Sequence, residues 1–529
     1  MRGLAVLGVF VLLAVIHTWP LAQRPAVNSR VDNGDYCLNV WAVDWVAHTL
    51  PSDPAHLFDG NIFYPSRLTL AYSEPLILQG ALAMPLAWFG MSAVPMFNVI
   101  LIAGFALSGW AFAMFVQRET GSWTAGVAAG SAVAFCAHNL VRLAHIQALH
   151  LELLPLVFLA IDRLLVTGHM RYAAAFGAAL ALQATTSIYL LVFAGWAALC
   201  AWIVRLPEWR RRLRETVLWT VLAAATCAVL LLPVIWPYAE LANSEGMVRG
   251  LGETRRCAAS WIDYLYTGSR VHHELWSRRF RDSSDANFPG VIVTVLAVFA
   301  LVGTGGRSPR TRMWLAVVLG CVFLSVLPRL PAFVWLHEYV PAFRAIRCYS
   351  RAGQIALVGM GVLAGFGAAR LIAGLKSPRV ATIAGVAILA AINIEALRAP
   401  LWYREFPGIS VIYDRLRDES HAIVVELPFY DRRVFFGNAE YLINATRHRH
   451  RLVNGYSGFA PRDFDAKAQV LKTFPSDPAL ELMHALGVTH VVVHRTSGME
   501  QRREEIDSTA SLALWAEQDG IAIYRFLPH

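Results

Sequence analysis

Apolar runs long enough to cross a bilayer recur along this chain, and they limit its fold more than any other feature. A hydrocarbon core about 30 Å thick takes roughly 20 mostly apolar residues per helix. Inside it only helices and closed barrels satisfy their own backbone hydrogen bonds. The runs fall at residues 4–16, 95–116, 123–137, 151–165, 172–186, 190–204, 216–236, 289–302, 313–327, 354–372 and 380–397. They predict about eleven transmembrane helices. The composition, 56% hydrophobic and 16% charged over 529 residues, is too apolar for a soluble globule of that length.

The net charge of +9 is informative loop by loop, because short connections rich in Lys and Arg stay on the cytoplasmic side. Met1-Arg2 precede the first run, no small-x-small cleavage site follows it, and His17-Thr18-Trp19-Pro20 closes it. It reads as an uncleaved first span with the N-terminus inside. The inner connections then carry Arg118, Arg163 with Arg171, the dense set Arg205, Arg210, Arg211, Arg212 and Arg214, then Arg307, Arg310 and Arg312, and Lys376 with Arg379. The apolar stretch 75–89 would invert this pattern if it crossed, so it is read as interfacial or re-entrant. Residues 1–398 then form a transmembrane domain with large external loops at 20–94 and 237–288. Residues 399–529 form an external α/β domain, with strands expected over 421–428, 487–494 and 520–526 and a helix over 478–486. Gly361 and Gly365 have the GxxxG spacing of a helix-packing surface. No internal repeat is visible in the sequence.

The chain contains no Walker P-loop, HExxH, GxSxG or paired CxxC, which sets aside ATP-driven transport and the common hydrolases. Cysteines at 37, 136, 200, 227, 257, 321 and 348 follow no metal-ligand spacing, and no basic domain with interleaved aromatics points to nucleic acid. The first external loop is richest in chemistry: Asp32-Asn-Gly-Asp35, Asn39, Asp44, Asn61-Ile-Phe-Tyr64-Pro65 and Ser73-Glu74. Leu38, Trp41 and Trp45, at i, i+3 and i+7, predict a helix that lays an aromatic face on the bilayer and holds its acids at headgroup level. A carboxylate fixed there can deprotonate a hydroxyl that attacks a lipid-linked donor. Asp32 and Asp35 equally suit helix capping around an Asn-Gly turn. A second cluster is His138, Asn139, Arg142, His145, Gln147, His150 and Glu152. Arg142, His145 and Gln147 suit phosphate or sugar hydroxyls, and histidine also suits a metal; each residue singly reads as well as part of a wet loop. A third cluster, Arg344, Arg347, Tyr349 and Arg351, suits bidentate phosphate capture or anionic headgroups.

Together these features resemble the GT-C superfamily of membrane glycosyltransferases, within it a bacterial branch labelled YfhO-like. Asp-Asn-Gly-Asp35 stands where that family keeps its essential acid. Ala144-His145-Ile-Gln147, Pro155 and Asp162-Arg163 stand in the region of its second external acidic loop. Asn61 to Pro65, Ser73-Glu74, Phe288-Pro289-Gly290 and Asn454-Gly-Tyr-Ser-Gly458 have counterparts in the branch. The resemblance spans nearly the whole chain. It implies a polytopic α-helical, GT-C-like membrane protein with a small C-terminal α/β soluble domain, in a bacterial inner membrane, with that domain periplasmic. It implies inverting transfer of a sugar from a polyprenyl-phosphate donor to an external glycan, lipid or protein acceptor, among membrane lipids. Asp35 would be the base, with Asp32, Asn39, Asp44, Glu74, Arg142, His145, Gln147, Arg347 and Arg351 binding substrates. The second loop departs from the family by offering His145, Gln147, His150 and Glu152 where a clear aspartate is expected. No cofactor is certain and a divalent metal stays open. A lipid or polysaccharide transporter would instead place polar residues mid-span. A non-catalytic envelope assembly protein would use the C-terminal domain to bind partners and leave Asp35 dispensable.

The arginine distribution predicts that the segment from Arg205 to Arg214 is cytoplasmic and that the chain beyond Arg398 is external. Compartment-sensitive reporters fused at Glu208 and at the C-terminus should read opposite sides; the same side at both would overturn the topology.

Overall fold

A computed structural model describes residues 1–29, 34–280, 285–303, 305–344 and 346–527. Every predicted apolar run is a helix: Arg2–His17, Ala93–Thr120, Trp123–Ala134, Leu154–Thr167, Met170–Thr186, Ile188–Val204, Leu213–Ser244, Val291–Leu301, Pro309–Val326, Ala352–Ala373 and Pro378–Ala396. Among the described residues, 6 helices are long and apolar enough to cross a membrane by length and composition. Arg2–His17, Ile188–Val204 and Val291–Leu301 are apolar but shorter. Ile77–Trp88 is a helix of 12 residues, about 18 Å at 1.5 Å per residue, too short for a core of about 30 Å. The chain folds as two compact units: 1–23, 99–235 and 248–402 make one, and 24–98, 236–247 and 403–529 make the other.

In the first unit the helices begin where the sequence supplies caps. Ser122 and Ser187 each accept a hydrogen bond from the backbone N–H three residues on, at 3.3 and 3.2 Å, which satisfies an otherwise orphaned donor. Alternating helices gather the connecting residues into two groups. At one end Asp162 pairs with Arg205 at 3.1 Å and with Arg310 at 2.9 Å, and Glu119 pairs with Arg310 at 2.8 Å. At the other, Asp285 pairs with His138 at 2.9 Å and Arg142 at 3.0 Å. Arg205 and Arg310, expected as topology signals, therefore also neutralise buried acids.

Ala352–Ala373 is the most enclosed helix, buried along most of its length among Trp123–Ala134, Val291–Leu301 and Pro309–Val326. Small residues allow this. A Cβ at Gly361 would lie 2.7 Å from Val133, and one at Gly365 would lie 2.7 Å from Ala129, so the GxxxG pair is a packing surface as expected. At Gly367 a Cβ would stand 1.9 Å from the Leu296 carbonyl oxygen, and backbone cannot yield as a side chain does.

The second unit holds a sheet of 5 strands in the spatial order Arg451–Leu452, Ile423–Leu427, His490–His494, Ile521–Phe526, Leu512–Gln518. The first three are parallel, and the last two join antiparallel. The strands expected over 421–428, 487–494 and 520–526 are present, as is the helix Asp477–Ala485. Ile423–Leu427 is buried on both faces because helices cover the sheet. Its one acid, Glu426, is fully buried and accepts hydrogen bonds from Tyr413 Oη at 2.7 Å and Asn444 Nδ2 at 3.1 Å, with His494 Nε2 at 2.6 Å.

Replacing Gly367 with Leu should separate Ala352–Ala373 from Val291–Leu301 and lose the folded protein, whereas Gly252→Ala, with open space around it, should not. Fluorescence-detected size-exclusion of the two variants in detergent checks this; equal monodisperse yields would refute the packing account.

Candidate active site and basic cleft

The second unit positions Asp35. Helix Asp35–Ser52 starts at Gly34, whose φ of +98° is left-handed and so suits glycine. A Cβ there would lie 2.8 Å from Ala439 and 3.2 Å from the Tyr456 ring. Asp35 is thus the first residue of a helix seated directly on the C-terminal fold, and its Oδ1 accepts a hydrogen bond from Tyr456 Oη at 2.9 Å. The segment carrying Tyr456 is itself fixed by the first loop. Leu452 N–H donates to Asn61 O at 2.7 Å, Tyr64 N–H to Leu452 O at 3.0 Å, and Phe63 N–H to Asn454 O at 2.9 Å. Asn61 to Pro65 and Asn454 to Gly458, distant in sequence, are therefore two sides of one backbone-paired element. Asn39 and Glu74 are buried in the same unit. Asp32 lies outside the described residues.

One expectation is corrected. The face of Leu38, Trp41 and Trp45 does not lie open for a bilayer: Trp41 is 2% exposed, its Nε1 donates to Asn61 Oδ1 at 2.8 Å, and Trp45 Nε1 donates to Leu57 O at 2.8 Å. Indole N–H groups need acceptors once buried, and the loop that follows the helix supplies them.

The first unit builds a cleft lined by Arg142, His145, Gln147, Tyr189, Arg351 and Gln354. Four candidates read from sequence, Arg142, His145, Gln147 and Arg351, thus share one wall system. Arg347 does not line it; its guanidinium faces Glu253 at 3.6 Å, and its N–H donates to Tyr189 Oη at 3.2 Å. The Arg351 guanidinium lies over the Tyr189 ring, 5.0 Å from its centroid, a cation–π arrangement that fixes its plane. Asp285, missed in the sequence, is fully buried behind the cleft. Besides His138 and Arg142 it accepts Ser350 Oγ at 3.1 Å. Burial alone would raise its carboxyl, but His138 and Arg142, with Arg351 beyond, outweigh burial and hold it well below the usual carboxylate range. Two arginines against one carboxylate leave the cleft basic. Arg351 Nε and Gln147 Oε1 are buried in its wall with no hydrogen-bond partner among the described residues. This donor set suits a phosphate and sugar hydroxyls. Among the described residues no group of three His, Cys, Asp or Glu converges as a metal-ligand set.

Asp285 and Tyr456 left weak signals. Asp285 is one acid in an irregular loop next to Phe288-Pro-Gly290, and Tyr456 lies within a turn-rich motif; only the fold shows what each touches.

Asp285→Asn should leave Arg142 and His138 without their counter-charge and destabilise the protein by about 3 kcal/mol, the lower range for breaking a buried pair. A depressed carboxylate contributes stability above its unfolded pKa and loses it only as pH falls through the folded value. The gap between wild type and variant in thermal unfolding should therefore stay constant from pH 7 to about pH 4, near the ordinary aspartate value; a gap closing near pH 6 would contradict the pairing.

No protein-family model matches the chain, and no curated protein matches it in sequence. Solved structures do. ArnT from Cupriavidus metallidurans, bound to undecaprenyl phosphate, matches with a TM-score of 0.52 and 11% identity, over 99% of this chain and 97% of that one. The arabinofuranosyltransferase AftD from Mycobacteria matches at TM-score 0.49 and 15% identity, over 100% of this chain and 42% of that one. The present chain thus spans less than half of AftD. The Archaeoglobus fulgidus oligosaccharyltransferase, tethered to an acceptor peptide, matches at TM-score 0.48 and 12% identity, over 93% and 69%. This chain shares its fold nearly end to end with ArnT, and among its described residues six helices are long and apolar enough to cross a membrane.

Proposed function

We propose that this chain is a membrane glycosyltransferase that moves a sugar from a polyprenyl-phosphate donor to an external glycan, lipid or protein acceptor with inversion. The observation that carries the reading is the end-to-end likeness to ArnT, a structure that holds undecaprenyl phosphate. The basic cleft supports it independently. The reaction needs a base for the acceptor hydroxyl and cations for the departing lipid phosphate. Asp35 is assigned the base: it takes the hydroxyl proton as that oxygen bonds to the anomeric carbon and the bond to phosphate breaks. The hydrogen bond from Tyr456 orients its carboxylate. Arg142 and Arg351 are assigned the charge on the leaving phosphate, and Gln147 with His145 the sugar hydroxyls. Asn39, Asp44, Glu74, Arg347 and Asp32 are assigned as further substrate contacts, although the Arg347 guanidinium already faces Glu253. The protein belongs, on this reading, to a bacterial inner membrane with its sites facing outward.

Asp35→Asn keeps the shape and removes the base, so turnover of a polyprenyl-phosphate sugar by purified protein should fall by at least about a hundredfold with donor binding retained. Arg351→Lys should instead weaken donor binding, because charge remains while the planar fork is lost. Wild-type turnover in Asp35→Asn would sink the assigned base. Donor binding with no transfer by any variant or by wild type would favour a transporter or an assembly protein.

A further inference from the structure

Within the second unit a cavity of about 200 Å³ opens beside helix Asp35–Ser52. It has room for roughly six or seven waters at about 30 Å³ each. Asp44, Trp45, His48, Asn61, Thr446 and Arg449 line it. Asp44 is nine residues beyond Asp35, two and a half helical turns. The two carboxylates therefore project from opposite faces, with their Cα atoms roughly 13 Å apart along the axis. The cavity is not the Asp35 site.

Its polar groups are held but incompletely used. The Asp44 side chain is 8% exposed, and the nearest basic side-chain atoms are His48 Nδ1 at 3.5 Å and Arg449 Nη2 at 3.8 Å. Both exceed hydrogen-bond length, and its carboxylate takes no shorter bond from the described residues. Burial raises that carboxyl, and Arg449 offsets only part of the rise. His48 Nδ1 lies 2.8 Å from Asp44 O, and Arg449 Nη2 approaches His48 Nε2 at 2.6 Å. The imidazole therefore carries its proton on Nδ1 and accepts from the arginine at Nε2. Arg449 has a φ of +61°, a left-handed conformation that residues other than glycine and asparagine adopt only under strain. That turn brings the guanidinium back from the end of helix Ala439–His448 to Asp44 and His48. Thr446 Oγ1 donates to Ile443 O at 2.6 Å and keeps its lone pairs for an incoming donor.

These features select a class of ligand. Asp44 repels an anion and Arg449 repels a cation, so a neutral molecule is favoured. It must both donate hydrogen bonds, to Asp44 and Thr446, and accept them, from Arg449. Trp45, half-buried at the rim and stacked on Trp41 at 6.3 Å between centroids, adds an apolar aromatic surface. A sugar ring has hydroxyl edges for the first requirement and C–H faces for the second. We propose that this cavity binds a neutral pyranoside unit of a glycan, at a subsite separate from Asp35. The inference does not rest on the transferase reading, since binding there requires no donor and no turnover.

The test uses the full chain in a detergent without a sugar headgroup, because alkyl maltosides would compete. Methyl α-pyranosides of glucose, mannose and galactose and their linear trisaccharides are titrated by saturation-transfer NMR, with tryptophan fluorescence in parallel. At least one should bind saturably with its ring protons in contact. Asp44→Asn and Trp45→Ala should each weaken it about tenfold, the loss of one directed contact, while Asp35→Asn leaves it unchanged. Arg449→Lys, at an exposed helix end, tests the site should the buried variants fail to fold, and it should weaken binding likewise. No binding by any pyranoside, equal affinity in wild type and Arg449→Lys, or saturable binding of inorganic phosphate in their place would each overturn the proposal.

Discussion

A charge removed from water has to be neutralised close by, and this requirement organises both ends of the helical unit. Asp162 and Glu119 at one end, and Asp285 at the other, are carboxylates in low-dielectric surroundings, each met by guanidinium groups from other helices or loops. Such pairs contribute little net stability over apolar packing, yet removing one partner is costly. They act as registration points: Arg205 satisfies Asp162 only when Ile188–Val204 and Leu154–Thr167 are in their observed register. The Asp285 cluster does more, because Arg142 and Arg351 stand against one carboxylate, and the wall of the cleft beside it stays basic.

The second unit shows how segments far apart in sequence make one object. The loop 24–98 and the tail from 403 share backbone hydrogen bonds through Asn61 to Tyr64 and Leu452 to Asn454. The side chain of Asn454 fastens the same segment to the sheet, accepting from Glu426 N–H at 2.7 Å and donating to Glu426 O at 2.8 Å. An acid on the loop and the phenol that orients it are consequently positioned by the same sheet edge.

What the sequence made legible follows from the range of the interactions involved. Span positions were readable because hydropathy is a local property, and the strands 423–427 and 490–494 because runs such as Ile-Val-Val and Val-Val-Val are buried on both faces. Leu512–Gln518 was missed, since Leu-Ala-Leu-Trp-Ala-Glu-Gln favours helix by local preference. Pairing with Ile521–Phe526 overrides that preference. The clue was Asp519-Gly520, whose φ values of +54° and +72° are those of a tight hairpin turn. In the cleft, Arg142, His145, Gln147 and Arg351 were readable as chemistry beside span ends. Asp285 was not, because nothing local distinguishes an acid that will be buried from one that stays wet. The aromatic stripe of Trp41 and Trp45 failed for a related reason: periodicity reports that a face is covered and is silent on whether lipid or protein covers it.

Arg351 immediately precedes Ala352–Ala373, the helix clamped by close glycine contacts on several sides. A free arginine samples many rotamers, and ordering it on ligand arrival would subtract from affinity. Here the backbone beneath it is immobilised by packing and its plane is held against Tyr189, so the loss of freedom is already complete when the chain folds. The cleft is therefore pre-organised, and its geometry has little capacity to adapt. A planar fork held in one orientation favours an anion that meets it edge-on, and the packing that holds it comes from a helix whose small residues do not line the cleft.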